Sequence, residues 1–194
     1  MSTTAIILAA DSNPEFSGPK YLASIVGESM LQMVVDDAAT WPVDEVVVVL
    51  GADAAQIAEA VDFRDHTVII DPEWSEGSAS PLRAALDFAS RNRSTRLCVV
   101  ARGDQPGVDA ETVGALVDAA NAEGADAVVP KYRYSVGWPV VLDDTLWKHL
   151  LGGEGNVDLL AVVASHGVSV GEVWFDHLPP TVYATAADLP MGGR

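Results

Sequence analysis

Short, uninterrupted apolar runs alternate along the chain with longer segments in which apolar residues recur every three or four positions. Runs of the first kind are typical of strands buried on both faces of a sheet, and segments of the second kind are typical of helices with one buried face. The pattern predicts four strands in the first hundred residues or so: Ala5 to Ala10, Glu45 to Leu50, His66 to Ile70 and Leu97 to Ala101.

Helices are predicted between these strands, the first beginning near Met30. Each of the other predicted helices begins at a residue whose side chain can accept a hydrogen bond from the free N–H groups of the first turn. One of them also has a proline at its first position, where no N–H is needed. These signals are Asp53 with Gln56, Ser80 with Pro81, and Asp109, whose helix ends at Gly124.

The remainder of the chain continues in the same manner. Strands are predicted at Ala127 to Val129, Pro139 to Leu142 and Val168 to Phe175, and helices at Thr145 to Leu151 and Val157 to His166. Repeated strand–helix units joined by short connections predict a three-layer α/β fold: a Rossmann-like, mostly parallel sheet with helices on both faces. No linker divides the sequence, so we expect one domain over residues 1–194.

Charge and cysteine content narrow the possible functions. The formal net charge of −17 opposes binding to nucleic acid and to anionic lipid, whereas a nucleotide needs only local cations. Cys98, the single cysteine, lies in an apolar run and is expected to be an ordinary core residue. Because the N-terminal apolar run lacks a basic start and is too short to span a bilayer, we expect a cytoplasmic protein.

Two polar turns follow predicted strands, where ligands of parallel sheets gather. Residues 11–20 contain serine, asparagine, proline and glycine and end at Lys20, a composition that can hold phosphate oxygens. The second turn, Gly103 to Pro106, places Asp104 where a carboxylate can bind Mg²⁺. Both segments are equally compatible with ordinary turns. The glycine spacing fits neither a Walker loop nor a dinucleotide fingerprint.

In order along roughly residues 4 to 190, several short motifs resemble those of the molybdenum-cofactor cytidylyl- and guanylyltransferases. They are Leu8-Ala9-Ala10 with Pro19-Lys20, Gly27 with Leu31, Val46 to Gly51, Asp71 to Gly77 followed by Ser80 and Leu82-Arg83, Gly103 to Pro106, Pro130 with Gly137 to Val140, and Thr185 with Asp188-Leu189. Each motif alone is weak evidence for the family, whereas the same order of motifs along the chain makes the whole set specific to it.

The resemblance implies a glycosyltransferase-A-like nucleotidyltransferase. A phosphorylated acceptor, molybdopterin in this family, would attack the α-phosphorus of CTP or GTP and release pyrophosphate. Lys20 and Asp104 would be the catalytic pair, with Asp104 binding Mg²⁺ and Trp138 on the acceptor side. The alanine pair is closer to the cytidylyl branch. The nucleotide-binding residues would be Leu8, Ala9, Ala10, Lys20, Asp71, Ser80, Arg83 and Asp104.

The sequence departs from the family pattern at residues expected near the phosphates. The positions are Asp11 for a glycine, Glu15 for an arginine, Ser17 for a glycine, Trp138 for a histidine, Gly153 for an aspartate, Val157 for an arginine and Ala184 for an aspartate. Another arginine, Arg83 or Arg102, can replace the lost cation, or the chain can use another donor or acceptor. The alternative function is a catalytically impaired relative that binds a nucleotide or a protein partner.

Overall fold

The computed structural model describes residues 1–91, 94–152, 155–165 and 167–190. An eight-stranded central sheet runs through these ranges. The strands are β1 (Ser2–Ala9), β2 (Ser24–Ile25), β3 (Glu28–Ser29), β4 (Glu45–Leu50), β5 (Thr67–Ile70), β6 (Thr95–Arg102), β7 (Ala127–Tyr132), β8 (Ser135–Val136), β9 (Val140–Leu142) and β10 (Val170–Phe175). The helices are α1 (Met30–Ala38), α2 (Ala54–Ala60), α3 (Ala79–Arg91), α4 (Ala110–Glu123), α5 (Asp144–Leu150) and α6 (Leu159–Val163).

The sheet has the strand order β10-β7-β9-β6-β1-β4-β5, and β8 pairs with β7 outside this path. Strand β1 lies inside the sheet between β4 and β6 and is parallel to both. Strand β9 is antiparallel to both of its neighbours, β6 and β7. Strands β2 and β3 form a separate antiparallel pair. The predicted mostly parallel α/β sheet is therefore confirmed.

Two apolar clusters pack against opposite faces of the sheet. Helices α1, α2 and α4 contribute to one cluster, and α3, α5 and α6 contribute to the other. Successive residues of β1 divide between them: Ile7 belongs to the first and Ile6 to the second, and both are fully buried. Because side chains alternate across a strand, a strand covered on both faces must be apolar at every position. This explains the uninterrupted run from Ala5 to Ala10.

Several local details differ from the predicted pattern. Asp53 makes no capping hydrogen bond, because its backbone is left-handed with φ of 55°. Helix α3 begins at Ala79, so Ser80 and Pro81 lie within its first turn. The last predicted helix is shorter than expected: α6 begins after Asp158, which accepts a hydrogen bond from the Ala161 amide. His166, its predicted last residue, lies outside the described residues.

Gly103 allows β6 to approach β1 closely where the two strands end. Its N–H donates to the carbonyl of Leu8 at 2.8 Å, and a Cβ at this position would lie 2.7 Å from the Cβ of Ala9. The missing side chain thus places Asp104 beside the first loop. Within the part of the chain that the structure describes, no helix has the length and apolar character required to cross a bilayer.

We expect Gly103→Ala to lower the free energy of unfolding by about 1–3 kcal/mol, the usual cost of overpacking. Gly114→Ala is the matched control, because a Cβ at Gly114, inside α4, would lie at ordinary distance from Pro42 (3.5 Å). Alanine there should stabilise by up to about 1 kcal/mol, since glycine is unfavourable within a helix. Urea denaturation of both variants tests this, and equal effects would show that Gly103 is not constrained by Ala9.

Candidate active site

A cavity of about 390 Å³ opens at the carboxyl ends of β1 and β6. Its lining contains both charged residues and apolar or aromatic residues. The lining residues are Leu8, Ala10, Asp11, Ser12, Tyr21, Trp74, Ser75, Gly77, Ser78, Pro81, Leu82, Arg102, Asp104, Trp138, Asn156, Val157 and Leu159. The cavity therefore lies where sheet topology predicts a ligand site.

Lys20 joins two carboxylates at the edge of this cavity. Its Nζ lies 2.8 Å from Oδ2 of Asp104 and 2.9 Å from Oδ2 of Asp11. The side chain of Lys20 is 3% exposed and that of Asp104 is also 3% exposed, whereas the Asp11 side chain is 62% exposed. A 3₁₀ turn over Lys20–Leu22 carries the lysine back toward the end of β6. The structure thus brings Lys20 and Asp104 into direct contact, and their catalytic roles stay a prediction.

Arg102, the last residue of β6, holds the other side of Asp104. Its Nε donates to Oδ1 and its Nη2 to Oδ2, each at 2.8 Å. The Arg102 side chain is 35% exposed and lines the cavity. The cluster of Asp11, Lys20, Arg102 and Asp104 thus contains two cations and two anions in mutual contact.

The charges hold the carboxyl of Asp104 in its ionised form. Burial alone would raise its pKa, but hydrogen bonds and positive charge from Arg102 and Lys20 outweigh burial, so the pKa lies below its ordinary value. The hydroxyl of Tyr21 donates to Oδ1 of Asp11. Burial first, and then the negative charge of Asp11, raise the pKa of Tyr21 well above its ordinary value. Tyr21 is therefore a neutral hydrogen-bond donor at physiological pH.

The oxygen atoms of Asp11 and Asp104 suit a hard divalent cation that arrives with a nucleotide. Both carboxylates already converge on a single cationic group, the Lys20 ammonium, and both line the cavity. Mg²⁺ commonly uses one or two carboxylates together with substrate phosphates. No group of three or more metal-ligating side chains occurs among the described residues, and those of His66, His149 and His177 form no metal site. The metal would thus depend on substrate oxygens.

The structure brings together some of the predicted nucleotide-binding residues. Leu8, Ala10, Asp104 and Trp138 line the cavity. Ala9 is fully buried and belongs to the core. Two of the three residues in Leu8-Ala9-Ala10 therefore border the cavity.

Other predicted residues lie behind the wall. Ser80 is buried in the first turn of α3 between the lining segments. Asp71 is also buried: its Oδ1 accepts from the Glu73 amide at 3.0 Å, and its Oδ2 has no hydrogen-bond partner among the described residues. Arg83 forms an ion pair with Glu73 at 3.2 Å. None of these three residues belongs to the described cavity lining.

The residues that depart from the family pattern lie in different parts of the structure. Glu15 is exposed and, with residues 16–19 of the first loop, lines a separate surface cavity. Ala184 accepts a hydrogen bond from Asn13 at 2.9 Å, which ties the C-terminal segment to the first loop. Asp11 and Val157 line the main cavity. Gly153 lies outside the described residues.

Sequence analysis did not single out Ser78, Gly155 or Asn156, which join Gly77 and Val157 in one part of the cavity rim. Ser78 donates from its backbone amide to Asn156 at 3.1 Å, and its hydroxyl accepts from the Val157 amide at 2.9 Å. Gly77 faces Gly155, whose carbonyl oxygen would lie 2.4 Å from an added Cβ. Gly77 and Gly155 were the available signal in the sequence. Nearly eighty residues separate them, so only the fold shows that they are neighbours.

Comparison with known proteins gives one family and several structural relatives. The model of the MobA-like NTP transferase domain matches residues 5–170. The nicotine blue oxidoreductase of Paenarthrobacter nicotinovorans is 30% identical over 115 residues, 59% of this chain and 55% of that protein. The match thus spans about half the length of this relative.

Two solved structures extend the fold comparison over nearly the whole chain. A homologue of Mycobacterium tuberculosis Rv0371c from Mycobacterium sp. strain JC1 is 24% identical, with a TM-score of 0.86 over 96% of this chain and 92% of that one. Rv0371c of M. tuberculosis H37Rv in complex with manganese is 23% identical, with a TM-score of 0.83 over 97% of this chain and 96% of that one. At these identities the likeness establishes the fold.

We expect Asp104→Asn to lower the free energy of unfolding by about 3–5 kcal/mol, because Lys20 and Arg102 would lose their shared counter-charge. Urea denaturation at neutral pH measures the loss. Asp87→Asn is the control: Asp87 pairs with Arg91 at an exposed site, and such pairs contribute little. A similar small effect of both substitutions would contradict the structural role of the cluster.

Asp104→Asn should also change how the stability of the protein depends on pH in acid. Because the folded-state pKa of Asp104 is lowered, its contribution is fully present above the ordinary value of about 3.9 and is lost as pH falls below it through the folded pKa. Thermal unfolding between neutral pH and pH 2 should show a smaller acid-dependent loss in Asp104→Asn than in the unmodified protein. Identical pH profiles would contradict the expectation.

Proposed function

The chain belongs to the family of MobA-like NTP transferase domains, and from this premise we propose that it transfers a nucleoside monophosphate from CTP or GTP to a phosphorylated acceptor. Pyrophosphate is the second product. Molybdopterin is the proposed acceptor and Mg²⁺ the proposed cation, with the cytidylyl reaction favoured by the alanine pair Ala9-Ala10. The proposal assigns Lys20 and Asp104 as the catalytic pair.

The observation that carries the proposal is that charged and aromatic side chains line one cavity. Asp11, Arg102 and Asp104 are its charged lining residues, and Lys20 is buried in contact with Asp11 and Asp104. Trp74 and Trp138 line the same cavity. A nucleotide has the same division, with a planar base and a charged phosphate chain. Such a cavity can bind both parts at once.

Phosphoryl transfer depends mainly on positioning and on neutralising the charge that develops on phosphate oxygens. Asp104 and Asp11 would hold the divalent cation, which supplies positive charge to the phosphate oxygens when bound. Lys20 orients the two carboxylates through its hydrogen bonds and adds positive charge to the same region. Trp74 and Trp138 would fix the planar groups and exclude water from the reacting phosphate.

The remaining assigned residues act on the nucleoside or through their neighbours. The backbone of Leu8 and Ala10 is proposed to contact the base and ribose, with Ala9 packed beneath. Asp71 carries a buried oxygen without a hydrogen-bond partner among the described residues, which supports its assignment near a base or ribose donor group. Ser80 and Arg83 are proposed to hold the start of α3 against the nucleotide.

Incubation of the protein with molybdopterin, Mg²⁺ and either CTP or GTP should release pyrophosphate, detected by a coupled phosphate assay. Asp104→Asn and Lys20→Met should each reduce the rate by about 10²–10³, as expected for loss of an electrostatic group in the site. Asp87→Asn is the control variant and should keep full activity. Circular dichroism must first show that each variant is folded at the assay temperature.

The possible outcomes separate the two functions considered. No pyrophosphate release with any nucleotide and acceptor would contradict the transferase proposal. Weak or absent triphosphate binding would favour the alternative, a catalytically impaired binding or interaction module, which the departures Glu15 and Ala184 suggest. In that case Glu15→Arg should partly restore the affinity for triphosphate, measured by isothermal titration calorimetry, whereas tight Mg²⁺-dependent binding by the unmodified protein would contradict this alternative.

A further inference from the structure

We propose that Arg102 exchanges partners: it binds Asp104 in the free protein and binds phosphate oxygens of the nucleotide when a divalent cation occupies its place on Asp104. The proposal rests on the proposed function, because it requires a triphosphate and its metal in the cavity. Arg102 would thereby supply the cation near the phosphates that the family pattern has as an arginine in the first loop, where this chain has Glu15.

Exposure distinguishes Arg102 from the other cation of the cluster. The side chain of Lys20 is 3% exposed and is enclosed by its two carboxylates. That of Arg102 is 35% exposed and lines the cavity. Among the described residues that line this cavity, Arg102 is the one cation. A phosphate that enters the cavity therefore meets Arg102 before it can reach Lys20.

The chemistry of the guanidinium suits both partners. Arg102 uses Nε and Nη2 for Asp104, in the two-point geometry that arginine forms with carboxylates. The same planar donor set binds two oxygens of a phosphate. A guanidinium is not deprotonated in proteins, so Arg102 stays cationic in either position.

A divalent cation and Arg102 compete for Asp104. Both oxygens of this carboxylate accept hydrogen bonds from Arg102, and Oδ2 also accepts one from Lys20. A metal placed on the same oxygens would stand beside two positive groups, which opposes its binding. Release of Arg102 toward a phosphate relieves this repulsion and gives the guanidinium a new anion. Metal binding and phosphate binding should consequently support each other.

The exchange predicts opposite effects of one substitution on two ligands. Arg102→Gln removes the competing cation, so Mn²⁺ alone should bind about tenfold tighter, measured by the loss of the free Mn²⁺ signal in electron paramagnetic resonance. The same variant should bind CTP and GTP with Mg²⁺ about 10- to 100-fold more weakly in calorimetry, since a charge-assisted contact to phosphate is lost. Inorganic pyrophosphate should show the same weakening as the nucleotides.

Two further variants serve as controls. Arg91→Gln removes an arginine paired with Asp87 on the surface and should change neither affinity. Arg102→Lys keeps one positive charge without the planar donor set, so it should shift both affinities in the same directions by smaller factors. If Arg102→Gln does not fold by circular dichroism, Arg102→Lys decides the question.

The outcomes distinguish failure of this inference from failure of the proposed function. Unchanged nucleotide affinity in the Arg102 variant, with normal binding by the unmodified protein, would overturn the partner exchange alone. Weaker nucleotide binding without tighter Mn²⁺ binding would overturn the exchange and leave Arg102 as a fixed phosphate contact. Absence of nucleotide binding by the unmodified protein would overturn the proposed function and the exchange together.

Discussion

The buried contact between the Lys20 ammonium and the Asp104 carboxylate determines how the two halves of the site meet. Lys20 follows β1 and Asp104 follows β6, and 84 positions separate them. Neither group is stable in a buried position alone, because an unpaired charge away from water is costly. The pair thus fixes the first loop against the end of β6. Asp11 and Arg102 complete the balance of charge on its two sides.

The general architecture could be predicted because it depends on patterns that lie within each element. Continuous apolar runs identified β1 and β4, and the capping residue Asp109 with Gly124 identified both ends of α4, as the structure confirms. The antiparallel direction of β9 was not evident, since its three apolar residues carry no information about the strand beside them. The strands β2, β3 and β8 have only two residues each, which is too short for a periodic signal.

The candidate site was predictable only in part. The position of Lys20 and Asp104 after two strands followed from the topology, but the shared hydrogen bonds required coordinates. Asp11 appeared as a departure from the family glycine, yet it supplies the second carboxylate around Lys20. Arg102 was one of two candidate cations, and only the fold distinguishes it from Arg83, which pairs with Glu73. Assignment of the chain to one domain over residues 1–194 stays a prediction.

The four charges of the cluster balance one another, so the loss of one charge can be compensated by a like charge introduced nearby. The most direct measurement is a crystal structure of the protein with a non-hydrolysable CTP analogue and Mn²⁺, whose anomalous signal locates the metal. We expect the metal on Asp104, the phosphates within hydrogen-bond distance of Arg102, and the base between Trp74 and Trp138. A nucleotide bound elsewhere, or phosphates in the cavity with Mn²⁺ far from Asp104, would contradict the account.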